Sequence, residues 1–305
     1  MEFGKVDPKD LGKIDLSLPP DPAANKDLFR KLEKKKHSTK VFMGCAKWGR
    51  KDWVGKIYPK GTKESDFLDH YAKHFDSIEL NATFYQVWGK ETIEKWAKKT
   101  GKDFRFCPKF YQAISHRRRL KGAKDVTDLF LQSVYAFGDK LGPCFLQMPD
   151  NFGPKNFDTL EAYLKELPED LEVFVEVRNE EWFHKEHEER LFGMLAKLDK
   201  GAVITDAAGR RDCVHMHLTT PKTFIRFVGN GLHKTDYTRI DDWVQRIKQW
   251  MKNGVQEIYF FMHQHEELHS PELARYTIIE LNKHCKLDIP VPQFVSDKGK
   301  DLFGK

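Results

Sequence analysis

The chain has 305 residues, of which 40% are hydrophobic and 13% aromatic, and 52 basic against 46 acidic residues give a formal net charge of +6. This apolar content can build a large core, which excludes disorder over most of the chain, and no run reaches the ~18 apolar residues of a membrane span. The first residues lack the layout of a secretory signal, so a cytoplasmic protein is expected. Five widely spaced cysteines without a CxxC pair disfavour a disulfide framework or a structural zinc site.

Residues 1–40 are rich in lysine, aspartate and proline, and they predict a polar N-terminal extension. One polar helix is expected over residues 27–36, with Leu28, Phe29 and Leu32 as its apolar contacts. We interpret the extension as a solvated arm that packs loosely on the body. The alternative is a contact for an acidic partner.

From Val41 onward, short apolar runs alternate with longer amphipathic ones. The predicted strands are Val41–Cys45, Ser77–Leu80, Phe104–Pro108, Cys144–Gln147, Glu172–Val177, Ala202–Thr205, Thr223–Phe227 and Glu257–Met262. The predicted helices are Glu64–His74, Lys90–Lys99, Asp125–Phe137, Asn156–Glu166, Glu186–Leu198, Tyr237–Asn253 and Pro271–Cys285. Such alternation predicts parallel strands joined by helical crossovers.

Eight strand–helix units in one chain match an α/β fold of the (β/α)8 type, the TIM barrel. The competing doubly wound sheet would need a glycine-rich turn after its first strand, and the segment there, GCAKWGRKDWVG, is not GxGxxG. The predicted organisation is therefore a single barrel domain over residues 41–290, preceded by the extension of residues 1–40. Residues 291–305 are expected to form a frayed C-terminal tail.

Polar residues follow almost every predicted strand, where a TIM barrel carries its active groups. Glu79 and Asn81 flank an apolar residue in the second strand, and Glu176 and Arg178 do the same in the fifth. A spacing of two places both members of a pair on the inner face of the barrel. Because such charges are costly to bury unless paired, the pattern predicts a ligand site at the barrel mouth. The alternative is a structural network of ion pairs that fills the mouth.

Five segments resemble the ordered signature blocks of the YecE-like family, a domain of unknown function (DUF 72), over roughly residues 41–265. They are GCAKWGRKDWVGKIYP, FDSIELNATFY, FRFCPKFYQAISHRRRL, FLQMPDNF and VFVEVRNEEWF. The resemblance implies a TIM barrel with a pocket at its C-terminal face, and it implies no established reaction. The family's recurrent polar positions fall on Trp48, Trp53, Glu79, Asn81, Tyr85, Lys109, His116, Gln147, Glu176, Arg178, Trp182, Asp206 and Arg226.

This chain departs from the family pattern in three blocks. Cys45, Ala46 and Lys47 replace a small polar turn that usually reads Gly-Thr-Ser-Gly-Trp. The block after Arg226 usually ends in His-Gly, and here it reads Phe227-Val228-Gly229. The last strand usually ends in paired asparagines, and here it reads Met262-His263-Gln264-His265. These departures predict a different ligand from that of typical members, or a lost activity.

The favoured hypothesis is a metal-independent enzyme for a small anionic ligand, either phosphorylated or a sugar acid. Lys109, Arg178 and Arg226 could hold the anion. Glu79 and Glu176 could act as acid and base, although Arg178 would lower the pKa of its neighbour Glu176. The catalytic candidates are Glu79, Glu176, Lys109 and His116. The ligand-binding candidates are Trp48, Trp53, Asn81, Tyr85, Gln147, Arg178, Trp182, Asp206 and Arg226, and the alternative for their aromatic members is ordinary packing at the rim.

Two other classes of function stay open. Glu79, Glu176, Asp206 and His263 or His265 could bind a divalent metal in a hydrolase or isomerase of the xylose-isomerase or endonuclease type, although the nearby cations argue against a metal. A non-enzymatic binder, of nucleic acid for example, would use the basic runs 117–119 and 34–36, but no nucleic-acid motif stands out. No cofactor, no membrane contact and no particular oligomeric state are predicted. The chain lacks a G-x-S-x-G elbow, a P-loop and HExxH.

Overall fold

The computed structural model describes residues 3–32 and 38–299. Its centre is one sheet of eight parallel strands in the order β3-β2-β1-β8-β7-β6-β5-β4. The strands are β1 (Lys40–Cys45), β2 (Ser77–Leu80), β3 (Arg105–Pro108), β4 (Cys144–Gln147), β5 (Val173–Glu176), β6 (Gly201–Ala207), β7 (Lys222–Gly229) and β8 (Glu257–Gln264). Isolated bridges join the two end strands, Phe106 to Leu141 and Lys109 to Phe145. The sheet is therefore a nearly closed barrel, and the predicted TIM-barrel fold is confirmed.

Helices surround the barrel and make the crossovers between its strands. They are α1 (Ala23–Leu32), α2 (Phe67–Tyr71), α3 (Ala82–Tyr85), α4 (Lys90–Lys98), α5 (Lys124–Val134), α6 (Phe157–Glu166), α7 (Lys185–Lys197), α8 (Lys234–Lys252) and α9 (Ser270–Cys285). The helix expected over residues 125–137 ends at Val134 and is followed by the 3-10 segment Tyr135–Lys140, within which Gly138 has a non-helical φ of 56°. Among the described residues, no helix is long and apolar enough to cross a membrane.

The barrel interior has an apolar floor that sets the height of the polar layer above it. The floor consists of the buried side chains of Phe42, Cys107, Phe145, Phe174, Val203, Phe224, Tyr259 and Phe261. Since side chains alternate along a strand, the residue two positions beyond each of these also points inward. That rule places Gln147, Glu176, Arg226 and His263 in one layer directly above the phenylalanines, toward the C-terminal ends of the strands.

The N-terminal extension packs more closely than the loosely held arm that we expected. Leu11 and Asn25 are fully buried. The Asn25 side-chain amide donates to the Met216 carbonyl at 2.7 Å, and its oxygen accepts the Leu218 N–H at 3.0 Å. Helix α1 begins at Ala23, four residues before the predicted start, and residues 33–36 of the predicted helix lie outside the described residues. The loose-arm interpretation is therefore wrong for the described part of the extension, because a buried amide ties it to the barrel.

The cysteines lie mostly in the interior of the protein, as expected for small thiols. All five are free, and four of them, Cys45, Cys107, Cys144 and Cys213, are buried. Burial raises the pKa of the Cys45 thiol well above its ordinary value, so this thiol stays protonated and packs as a small apolar group.

Candidate functional site

The centre of the barrel mouth is a buried guanidinium between two carboxylates. Arg226, on β7, is 1% exposed. Its Nε and Nη2 donate to Glu79 on β2 at 2.7 and 2.9 Å, and its Nη1 donates to both oxygens of Glu176 on β5 at 2.8 and 3.1 Å. All three guanidinium nitrogens of Arg226 thus donate to carboxylates, which come from opposite sides of the barrel. This inner part of the mouth is the structural ion-pair network that the sequence left as the alternative.

Each carboxylate of the central trio has further donors. Glu79 accepts the side-chain amide of Asn81 at 2.8 Å and lies 2.8 Å from Nε2 of His263. Glu176 accepts Nε of Arg178 at 2.7 Å and the hydroxyl of Thr205 at 3.0 Å. The two pairs predicted from the spacing of two, Glu79 with Asn81 and Glu176 with Arg178, are therefore in direct contact.

These contacts keep both carboxylates ionised. Burial alone would raise the pKa of Glu176, but Arg178 and Arg226 outweigh it and lower that pKa to about 2. Burial acts in the same direction on Glu79, where Arg226 and His263 nevertheless hold the pKa well below its usual range. A carboxyl with so low a pKa is a poor proton donor and a weak base near neutral pH. The geometry therefore favours a positioning role for Glu79 and Glu176 over the acid–base role that we expected.

Lys109 is a buried amine at the same mouth and, unlike Arg226, donates to no carboxylate of the described residues. It follows β3, and its side chain is buried, with Nζ donating to Oε1 of Gln147 at 2.7 Å. Within residues 3–32 and 38–299, no carboxylate oxygen lies within 4.0 Å of this amine. Its Nζ lies 4.2 Å from the ring centroid of Phe84. Burial and then the nearby Arg226 lower the pKa of Lys109 from 10.5 to about 7.

His116 lies in the irregular π turn Ala113–Arg117 that follows β3. Its Nδ1 is 2.9 Å from the Ser115 hydroxyl, and its ring packs edge-on against Phe84 at 4.9 Å. Burial, and then the charges of Lys109 and Arg178, lower the pKa of His116 to about 4. His116 is therefore neutral near pH 7, where it can accept a hydrogen bond but is a weak base.

A cavity of about 300 Å³ opens next to Glu79, between the ends of β1 and β2. Four of the predicted residues line it, namely Trp48, Glu79, Asn81 and Tyr85, together with the exposed Lys47. Tyr85 is 68% exposed, and Trp48 is half-buried with its ring edge-on to Trp96 at 5.2 Å. Both rings are therefore placed at the rim, where a bound ligand could reach them.

Two of the predicted aromatic residues belong to the core. Trp53 is fully buried, and its indole N–H donates to the Glu267 carbonyl at 3.0 Å. Trp182 is also fully buried, with its indole N–H on the Phe152 carbonyl at 2.6 Å. Because each indole has its polar edge satisfied inside the protein, neither ring is available to stack on a ligand. The expected ligand role does not fit these two residues.

Asp206 also faces away from the mouth, contrary to our expectation. Its neighbour Thr205 points inward to Glu176, so the alternation along β6 turns Asp206 outward toward α8. There it forms ion pairs with Arg239 at 2.8 Å and with Arg211, and it accepts the Trp243 indole N–H at 2.8 Å. Asp206 therefore ties a helix to the barrel instead of contacting a ligand.

Replacing Asp206 with alanine is expected to lower the free energy of unfolding by about 3–5 kcal/mol, because it removes the closer carboxylate partner of the buried Arg239 and leaves only Asp236, at 3.7 Å. Urea denaturation at neutral pH measures this loss. The matched control is Asp158→Ala, since the Asp158 side chain is 89% exposed and its ion pair with Arg190 contributes at most about 1 kcal/mol. Equal losses in the two variants would contradict the structural role of Asp206.

The sequence reasoning missed Thr205, Phe84 and His263 as parts of the site. Thr205 follows by alternation only once Val203 is known to lie on the apolar floor, which the sequence alone does not show. His263 was considered only as a metal ligand, whereas the structure places it on Glu79. Phe84 carries no pattern that separates it from a core residue, and it becomes relevant only through its contact with the Lys109 amine.

The carboxylates proposed as ligands of a divalent metal do not lie together in the structure. The guanidinium of Arg226 lies between Glu79 and Glu176, and Asp206 is on the outer face of the barrel. Within the described ranges, no group of three histidine, cysteine, aspartate or glutamate side chains is placed to hold a metal ion. A metal between the two glutamates would have to displace Arg226.

Of the two basic runs that could bind nucleic acid, the structure describes residues 117–119 only. Arg118 donates to the Gly122 carbonyl at 2.6 Å and pairs with Asp125. Arg119 donates to the Asn151 carbonyl at 3.0 Å. Residues 34–36 lie outside the described residues. Binding of nucleic acid stays a prediction that these contacts do not test.

The barrel and this layer of charges define the class: an α/β TIM-barrel protein whose C-terminal mouth carries a buried cluster of acidic and basic side chains. The family model described as "Protein of unknown function DUF72" matches residues 42–294, so the chain belongs to that family. The resemblance that the sequence motifs indicated is thereby confirmed.

Curated relatives and solved structures agree with this assignment. The UPF0759 protein YecE of Escherichia coli K12 is 28% identical over 80% of this chain and 93% of its own length. The UPF0759 protein YunF of Bacillus subtilis 168 is 28% identical over 81% of this chain and 86% of its own length. A DUF72 family protein from Enterococcus faecalis V583 aligns with a TM-score of 0.63 at 19% identity, over 83% of this chain and 100% of its own. One from Thermotoga maritima MSB8 gives 0.62 at 20% identity, over 81% and 100%.

Proposed function

We propose that this chain is a metal-independent enzyme that binds a small anionic ligand, either a phosphorylated compound or a sugar acid, and moves a proton at Lys109. The observation that carries the proposal is the surroundings of Lys109. Its amine is buried at the barrel mouth and donates to the neutral amide of Gln147, and within the described residues no carboxylate lies within 4.0 Å of it.

The charges around Lys109 favour an anion. When Lys109 is protonated, three cations face two carboxylates, Glu79 and Glu176. Arg226 donates hydrogen bonds to both carboxylates. Arg178 donates through its Nε to Glu176. Its terminal nitrogens donate to no residue in the described parts of the chain. A carboxylate or phosphate on Arg178 and Lys109 would balance the excess charge, and a guanidinium matches the geometry of such oxyanions.

The protonation states support proton transfer at Lys109. A group whose pKa lies near the working pH is the most effective acid–base catalyst, and the pKa of Lys109 is about 7. An anion next to the amine would raise that pKa, so Lys109 would take up a proton as the ligand binds and could return it to a reacting atom. His116 is neutral near pH 7 and could accept a hydrogen bond from the ligand at the same mouth. Glu79 and Glu176 hold Arg226 and Arg178 in place.

Replacing Lys109 with methionine is expected to weaken anion binding at least tenfold, because a hydrogen bond from a charged donor contributes about 1.5–3 kcal/mol. Isothermal titration with inorganic phosphate, glycerol 3-phosphate and gluconate measures the affinity. In two buffers of different ionisation enthalpy near pH 8, the wild-type protein should also take up a proton on binding. The control is Lys252→Met, which removes an exposed lysine at the C-terminal end of α8, away from the barrel mouth. Failure of all three anions to bind, or equal affinity in the two variants, would contradict the proposal.

A further inference from the structure

The N-terminal extension returns to the barrel mouth and contacts the proposed anion site. We call residues 3–21 the N-terminal strap. The ring of Phe3 lies against two guanidinium groups, with its centroid 4.0 Å from Cζ of Arg178 and 4.8 Å from Cζ of Arg210. Arg178 is the residue whose Nε binds Glu176. The strap therefore reaches the cation whose terminal nitrogens are left for a ligand.

Close backbone contacts fix the position of the N-terminal strap. The Gly4 carbonyl accepts the N–H of Gly209 at 2.9 Å. Gly4 has a φ of +70°, and a Cβ added there would lie 2.6 Å from Cβ of Ala207, so only glycine fits. Farther along the strap, the Ser17 carbonyl accepts a donor from Arg211 at 2.8 Å. The ring of Phe3 is thus placed by the packing of the strap on the end of β6.

The contact between Phe3 and Arg178 has a physical consequence for the site. An aromatic face attracts a guanidinium placed over it, and the attraction grows when water is excluded. With its face covered by Phe3 and its Nε held by Glu176, Arg178 keeps only the plane of its terminal nitrogens for a further partner. A guanidinium binds a carboxylate or phosphate in that plane.

We propose that Phe3 is a positioning residue of the anion site, which orients Arg178 and closes the mouth on the side of β5 and β6. The ligand in this inference is that of the proposed function, while the contact between Phe3 and Arg178 stands on its own geometry. Phe3 lies outside residues 42–294, so this wall of the site comes from a part of the chain that the family model does not cover.

The test measures how fast phenylglyoxal, which reacts with guanidinium groups, modifies Arg178, with the modified peptide followed by mass spectrometry. Phe3→Ala should raise the rate about three- to tenfold, on the order of the loss of one cation–π contact. Gly4→Val should raise it as much, because the added side chain displaces a ring that is still present. Phe3→Tyr keeps the aromatic face and should react like the wild-type protein. Gly12→Ala is the control, since a Cβ at Gly12 meets no atom within 4 Å.

The second readout is the affinity for inorganic phosphate, measured by isothermal titration on the same proteins. We expect it to fall about three- to tenfold in Phe3→Ala and Gly4→Val, and to stay unchanged in Phe3→Tyr and Gly12→Ala. Suppose that the wild-type protein and all variants bind phosphate with equal affinity, and that phenylglyoxal modifies Arg178 at the same rate in all of them. The positioning role of Phe3 is then overturned, while the proposed function still stands. If the wild-type protein binds no anion, the proposed function fails and the positioning role fails with it. A lower unfolding temperature in Phe3→Ala with neither readout changed would also overturn it.

Discussion

Replacing Arg226 with methionine is expected to lower the free energy of unfolding at neutral pH by about 3–5 kcal/mol, the cost of removing one partner from a buried network of ion pairs. Methionine keeps an unbranched apolar stem but offers no donor to Glu79 or Glu176. Each carboxylate keeps two other contacts, so we expect a destabilised protein that still folds. Urea denaturation of the wild-type and variant proteins at neutral pH measures the difference.

The pH dependence of this loss gives a sharper result than its size. In the wild-type protein the pKa of Glu176 is about 2, below the ordinary 4.5, so its contribution to stability is complete above about pH 4.5 and is lost as the pH falls toward 2. In Arg226→Met, burial is opposed by fewer cations, so the pKa of both glutamates should rise. The folded variant then takes up protons more readily on acidification. The gap in stability between the two proteins should therefore narrow as the pH falls from 7.

Two comparisons decide whether the central ion pairs cause the effect. Arg190→Met removes an arginine that is 56% exposed and pairs with Asp158, and it should cost no more than about 1 kcal/mol. Adding Glu79→Gln to Arg226→Met removes the buried carboxylate that no longer has an arginine partner and should recover part of the loss. A loss below about 1 kcal/mol in Arg226→Met, or no change in the gap with pH, would mean that the cluster is not held together as described.

The second large effect is expected from the buried amine of Lys109. Its pKa is about 7 in the folded protein against 10.5 ordinarily, so the unfolded chain binds the extra proton between these two values. Stability must then rise with pH across that window, because the unfolded state loses a proton that the folded state has already released. Below pH 7 the folded protein carries the buried cation at full cost. Relative to Lys109→Met, the wild-type protein should gain on the order of 3–5 kcal/mol between about pH 6 and pH 10.

The comparison with Lys109→Met removes the contributions of other groups that titrate in the same range. Unfolding free energies from urea denaturation, measured every half pH unit for both proteins, give the difference curve. Lys47→Met serves as the control, because its exposed side chain should leave the slope of the wild-type curve unchanged. Parallel curves for the wild-type protein and Lys109→Met would show that Lys109 titrates as an ordinary lysine.

The sequence predicted the barrel well because the alternation of strands and helices is visible in short stretches of the chain. Short apolar runs separated by amphipathic helices force parallel pairing. Each of the eight predicted strands is present, and no strand end differs from its prediction by more than two residues. The same alternation placed Glu79 with Asn81 and Glu176 with Arg178 on the inner face. These pairs depend only on neighbours within one strand, so no knowledge of the packing was needed.

The rest of the site depends on distances between elements, which the sequence does not contain. Nothing in the segment around Asp206 says which of two adjacent polar residues faces the mouth until the strand is registered against its neighbours. Trp53 and Trp182 follow strands as a binding residue would, yet the packing encloses both indoles. The contact of Phe3 with Arg178 joins residues 175 positions apart and involves a segment that composition alone marked as polar and exposed.

The most direct test of an anion site at Lys109 is an NMR titration of the Lys109 side-chain carbon next to Nζ. Lysine labelled with 13C makes the signal visible, and Lys109→Met assigns it. We predict a midpoint near pH 7 without phosphate, as the burial of the amine and its neighbour Arg226 require, and a higher midpoint when phosphate is bound. A midpoint above about 10, unchanged by phosphate, would contradict both the buried neutral amine and the anion site built on it.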